Sequence, residues 1–388
     1  MVKKIDKKIL FRVFLLLVGA AIYIIAAYRL NSIEKTEMVS MTGYSYEKAV
    51  VIEVTQDNLT DDGYRVGYQQ LKVQILTGEK KGAILDATSS EGNLFGAVCA
   101  EGDSIIVSIS ISGDTTTVSV YSKDRSLQVG VFVCIFLLLI SVIGGKNGVK
   151  SVVGLIFTVV SIIYLLFPMI YLGISPFWGA VFICVITTVV TMSLIGGCSK
   201  KTLCAINGTV IGVLMAGISA WLFGLAADID GYNVSNIETL VYVAQNTQIQ
   251  VGGLLFAAIL IAALGAVMDV AMSVASAICE IHAQSTGLSA RQLFVSGMNV
   301  GRDMMGTMSN TLILAFVGSS LSTLIIDYAY NLPFRQLINS YSIGIEIMQG
   351  LSGSIGVILA VPATAAVTSV LIGRKSTDIS MGKTESEI

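Results

Sequence analysis

The stretch SGMNVGRDMMGTMSNTLILAF, residues 296–316, sets an Arg-Asp pair and two asparagines into a run that is otherwise apolar. Its expected solvent is lipid. The chain has 388 residues, of which 54% are hydrophobic and 13% charged, far from the roughly 25% charged content of soluble domains. Several stretches hold enough nearly uncharged residues to cross a hydrocarbon core of about 30 Å at about 1.5 Å per residue. The net charge of −2 gives no reason to expect a nucleic-acid partner. Six cysteines without a CxxC pair imply neither a disulfide framework nor a zinc knuckle, and the one histidine, His282, excludes a multi-histidine metal site.

Outward from that stretch, four segments differ in composition. Residues 1–30 begin with Lys3, Lys4, Lys7, Lys8 and Arg12 ahead of the apolar run Val13–Tyr28, a pattern expected of a signal anchor held by its positive flank; a cleaved signal peptide is the alternative. Residues 31–126 turn polar and alternate with period two: Leu71, Val73, Ile75; then Ile105, Val107, Ile109, Ile111; then Val118 and Val120. AVVIEVTQ and GAILDA add two shorter candidates, and TGEKKG, EGD and SGDT supply turns. About five short strands predict a small all-β domain, a barrel or a sandwich, since closure protects strand edges, with an OB-like barrel the preferred form. Residues 127–373 form a multi-helix transmembrane domain, and 374–388 a tail.

The expected spans are 127–143, 151–170, 174–195, 202–226, 250–280, 296–326 and 350–372, which with the anchor makes eight. Lys146, Lys150, Lys200, Lys201, Arg291, Arg374, Lys375 and Lys383 fall on one side of this arrangement, whereas the opposite loops hold only Arg335. The asymmetry places both termini in the cytoplasm and residues 31–126 outside the cell membrane. Asp228, Asp230 and Glu238 read as a solvated outer loop.

At about 100° per residue, Asp269, Ser273, Ser276 and Glu280 share one helical face, because their spacing is i, i+4, i+7, i+11. Asn299, Asp303, Gly306 and Asn310 repeat that spacing, with Arg302 and Thr307 on the flanks. A charge at the bilayer centre costs about 2.5–3.5 kcal/mol even on the lenient insertion scale. Both stripes are therefore expected to turn inward, toward each other or toward water, with Arg302 neutralising Asp303, Asp269 or Glu280. A carboxylate left over would suit a proton-coupled carrier. The competing reading is that the polar groups only bind the bundle together.

Other features point to packing. Met268, Met272, Met298, Met304, Met305 and Met308 are candidate soft ligands for Cu(I), but without a second thiolate they read as gap-filling core. Gly208 and Gly212 form GxxxG, and Gly350, Gly353 and Gly356 open the last span; both read as helix contacts. Pro362 predicts a kink. No HExxH site, serine-protease pattern, GxGD spacing or P-loop is present. No enzyme activity, cofactor or metal is expected.

GAVMDVAMSVASAICEI, followed by LFVSGMNVGRDMMGTMSNTLILAFVG, resembles the YibE/F-like proteins, bacterial multi-pass membrane proteins. The stretch DGYRVGYQQLKVQILTGEKKG looks similar to the segment preceding their membrane domain, so the resemblance runs from about residue 45 to 372. It implies a multi-pass membrane protein and assigns no reaction, substrate or residue. The expectation is a permease-like protein, a gradient-driven transporter of a solute or ion, with its site at Asp269, Ser273, Ser276, Glu280, Asn299, Arg302, Asp303 and Asn310. The alternative is a non-transporting scaffold or assembly factor whose β-domain binds an envelope protein. Its partners are the lipid bilayer, the solute or ion, and an envelope protein or a second copy.

Overall fold

A computed structural model describes residues 7–384 except 41, 62–64, 91–96, 113–114, 235 and 286; side chains are described between 18 and 373. Two compact units result, Glu37–Leu139 and the remainder of the chain.

The smaller unit is a closed five-stranded barrel. Its strands are β1 (Tyr44–Gln56), β2 (Tyr68–Ile75), β3 (Ile84–Ser90), β4 (Ser104–Ser112) and β5 (Thr115–Lys123), in the order β1-β2-β3-β5-β4. β1 pairs with both β2 and β4, which closes the sheet; only the β3–β5 contact is parallel. The period-two residues supply the core: Leu71, Val73, Ile75, Ile105, Val107, Ile109, Val118 and Val120 are all buried. Ile111 departs from this expectation. It lies 43% exposed near the end of β4, opposite Thr116, where the alternation outlasts the barrel interior.

Within the barrel, Gln69 is buried and bridges three groups. Its Nε2 donates to Asp57 Oδ1 (2.9 Å) and Cys99 O (3.2 Å), while its Oε1 accepts from Cys99 N (2.8 Å). The Arg65 guanidinium, hydrogen-bonded to Asp57, holds that carboxyl below the usual range, and the Gln69 amide adds to this. Lys48 and Lys123 do the same for Asp124 and Asp103, each at 2.8 Å. Burial pushes the Cys99 thiol up.

The larger unit is helical. Its elements are α1 (Lys7–Asn31), α2 (Ser126–Ser161), α3 (Phe167–Tyr171), α4 (Pro176–Gly196), α5 (Lys200–Ala227), α6 (Ile237–Gln245), α7 (Leu254–Gln284), α8 (Ala290–Ser319), α9 (Leu321–Ala329), α10 (Phe334–Ile338) and α11 (Tyr341–Thr384), with α2 beginning in the smaller unit. Among the described residues, five helical stretches are long and apolar enough to cross a membrane, or six if the bent pair α8–α9 counts as one. The protein is therefore a membrane protein.

Three expected boundaries move. The spans expected at 127–143 and 151–170 lie in one long helical stretch interrupted at Gly145, whose φ of 54° and ψ of −134° only glycine adopts readily. A π-helical turn, Ile162–Leu166, joins α2 to α3; there the Tyr164 carbonyl accepts from Asn31 Nδ2 at 2.8 Å, and Tyr23 bonds Ser161 at 3.0 Å, docking α1. The span expected at 296–326 is broken, because α8 and α9 meet at Ser320 with a bend of 61°. α11 begins nine residues before the expected 350 and runs on through Pro362.

Small residues set the spacing of α5, α7 and α11. A Cβ on Gly208 would collide with Thr364, and one on Gly212 would meet Val267 Cγ1 at 2.7 Å and Gly356 O at 2.9 Å. The Gly208–Gly212 pair is thus a helix contact, as its spacing predicted. Around it lie Val213, Leu260, Val267, Val357 and Val361, all buried.

Candidate functional site

α8 starts cleanly because Ser289 and Gln292 form a capping box, with Gln292 N donating to Ser289 Oγ (3.3 Å) and Ser289 N to Gln292 Oε1 (2.9 Å). Its packed face carries Leu293, Gly297, Gly301 and Leu312. A Cβ on Gly297 would strike Ile278 of α7, and one on Gly301 would strike Val361 of α11. These contacts fix the rotation of α8. Met298, Met304, Met305 and Met308 pack on the same apolar cluster, as gap-filling core does.

With that face pinned, the opposite one points away from the protein. Asn299, Arg302, Asp303, Gly306, Thr307 and Asn310 are all exposed. Arg302 donates to Asn299 Oδ1 at 3.3 Å, one turn back on its own helix. Thr307 and Thr311 bond the carbonyls of Asp303 and Thr307 at 2.9 Å each, so their hydroxyls are satisfied locally. Among the described residues neither Arg302 nor Asp303 has an ion-pair partner.

α7 behaves similarly. Val267, Val270, Val274 and Ile278 are buried; Asp269 and Glu280 are exposed, with Ser273 and Ser276 half-buried. Glu280 accepts from Gln284 at 3.4 Å. Of the two outcomes expected, the first therefore fails: the two polar stripes do not face each other. The α7–α8 seam is apolar because Gly297 admits Ile278 and the methionines fill the remainder, a packing that burying two charged rows would have forfeited.

The stripes nonetheless match in depth. α7 and α8 run antiparallel, with Ile278 against Gly297; counting nine residues from each places Asp269 near Gly306 and, by the same rule, Ser273 near Arg302. Gly265 and Gly306 have nothing within 4 Å of where a Cβ would stand. Small and polar residues thus leave open surface on adjacent helices, around the middle of the span Val251–Gln284.

A second feature was not anticipated. Glu346, in the second turn of α11, has its Oε2 buried with no hydrogen-bond partner. It faces a cleft of about 250 Å³ lined also by Asn233, Ser320, Thr323, Ser342 and Gln349, beside an apolar lobe of about 390 Å³ walled by Phe316, Leu324 and Ile347. Starting the last span at 350 had left Glu346 in a loop. The signal was an acid within helical reach of the apolar run that follows, GLSGSIGVILAV.

No curated relative and no solved structure matches the chain. The YibE/F-like protein family matches residues 132–374, which include every helix of the polar face and the Glu346 cleft but not the barrel, so the similarity noted for DGYRVGYQQLKVQILTGEKKG lies outside the match. With well over half of its length matched, and over the part that carries the candidate site, the chain belongs to the YibE/F-like family.

Proposed function

We propose that this protein is a permease-like carrier that moves a solute or ion down a gradient along the polar face of α7 and α8. One observation carries the reading: Asp303, Gly306 and Asn310 are exposed around mid-span, with Arg302 and Asn299 continuing the same exposed row toward the end of α7 that carries Glu280, and lipid cannot solvate such groups at mid-span. Asp269, at the depth of Gly306, supplies a second carboxylate, and Ser273, Ser276 and Glu280 extend the row toward the Lys200–Lys201 side. In this reading the bacterial plasma membrane holds eight spans, with α2 divided at Gly145, both termini in the cytoplasm and an OB-like barrel outside. The protein is not an enzyme and carries no metal or cofactor.

The test uses the full chain in liposomes containing a pH-sensitive dye, with a proton gradient imposed and a potassium diffusion potential as counter-drive. Protein-dependent proton flux should vanish in Asp303→Asn and Asp269→Asn while the amount inserted stays unchanged. Flux no greater than in empty liposomes, with sodium, potassium or chloride also static, would refute the carrier reading.

A scaffold or assembly role is the second reading, favoured by the barrel being a separate compact unit with its own core. There the barrel binds an envelope protein, and deleting residues 37–125 abolishes function in cells while the substitutions at 269 and 303 alter stability alone.

A further inference from the structure

We propose that the exposed face of α8 is completed by a second copy of this chain, with Arg302 of each protomer pairing with the partner's Asp303. Copies sharing one orientation in a membrane present parallel α8 helices related by a two-fold axis along the membrane normal, so equal residue numbers meet at equal depth. Arg302 and Asp303 differ by about 1.5 Å in height and about 100° in azimuth. A contact line through Asn299, Gly306 and Asn310 leaves Arg302 on one flank and Asp303 toward the other. Opposite flanks of parallel helices adjoin, as e and g positions do in a coiled coil. The adjacent Arg-Asp order therefore forms two symmetric ion pairs at one level, and the four charges cancel.

Three further features fit that occupant. Gly306 has open space where a Cβ would stand, so backbones can approach there. Asn299 and Asn310 are exposed on the same line and can hydrogen-bond across it. Arg302 and Asp303, lacking ion-pair partners among the described residues, are the pair the second protomer neutralises. Acyl chains can do none of this. The inference needs only that the face lies within the membrane, and holds whether or not the face conducts anything.

The experiment is same-residue cross-linking of the full-length protein in native membranes. Gly306→Cys should yield a covalent dimer on mild oxidation, whereas Leu222→Cys, at an exposed position of α5, should not. Added to Gly306→Cys, either Asp303→Arg or Arg302→Asp should cut the dimer yield by about tenfold, and the two together should restore it, because reversing the order recreates both pairs. Equal cross-linking at 306 and 222, or charge reversals without effect, overturns the proposal. Membrane abundance and thermal melting identify a reversal that fails to fold, in which case the Gly306→Cys result decides alone. A cross-linked dimer without ion flux would sink the carrier reading and leave this one intact.

Discussion

Gly301 of α8 lies so close to Val361 of α11 that a single added methyl group would overlap the valine side chain. This contact, more than any charge, determines which way the polar face of α8 points.

Gly301→Ala should therefore lower stability by about 1–3 kcal/mol, the usual cost of overpacking. Gly306→Ala, on the open side of the same helix, removes no space from any neighbour in the protomer and, through better helix propensity, should leave the protomer's stability unchanged or slightly raised. Thermal melting of the detergent-solubilised monomer distinguishes the two. Equal melting points would mean that α8 is not anchored at Gly301, and the outward orientation of Arg302 and Asp303 would lose its basis.

The barrel should weaken in acid. Asp57, Asp103 and Asp124 are held below their ordinary value of about 3.9 by Arg65, Lys123 and Lys48. Depressed carboxyls contribute stability that is present above the unfolded value and disappears as pH falls through the folded ones, because the unfolded chain takes up the protons first. Buried Cys99 reports opening of the barrel. In the full chain with the other cysteines replaced, its reaction with 4,4′-dithiodipyridine should accelerate below about pH 4. Asp124→Asn should react faster at pH 5 and respond less to acid. A flat rate down to pH 2.5 in the parent would show that these ion pairs do not hold the barrel closed.

Gln69→Leu should cost about 1–3 kcal/mol, since it leaves Cys99 N without its acceptor inside the barrel and deprives Asp57 of a donor. The same Cys99 reaction measures it, now as a faster rate at neutral pH. If Gln69→Leu reacts no faster than the parent, then apolar contacts with Val73 and its neighbours compensate for the lost bridge.

The barrel core was legible because period-two alternation states which side is buried whatever the neighbours are: Leu71, Val73 and Ile75 could only point one way together. The polar stripes were legible as faces for the same reason. Their partner was not, since periodicity names a face and leaves open what covers it. The clue lay inside the opening stretch: Gly297 and Gly301 form a GxxxG on the side of α8 opposite Asp303, and close helix packing there sends the charges outward. Gly145 falls in the break expected between 143 and 151, where Lys146, Asn147 and Lys150 interrupt the apolar run, whereas the bend at Ser320 left no such mark, since no charged residue stands between Asp303 and Asp327.

Glu346 offers the sharpest conflict between stability and use. Its Oε2 is buried without a partner, and an unmet buried acceptor costs about 1–3 kcal/mol, more if charged. Glu346→Gln keeps the shape, removes the charge and gives the cleft a donor that Ser320 or Ser342 can accept from, so the protein should melt at a higher temperature. In the carrier reading the same change should slow proton flux in liposomes, because the Glu346 carboxylate lines the cleft that also holds Ser320, where the α8–α9 bend falls. Stabilisation with lost flux is the signature of a group retained for function at the expense of folding. Stabilisation with unchanged flux would instead mark the cleft as a packing fault outside the path, and would confine transport to the row that begins at Asp269.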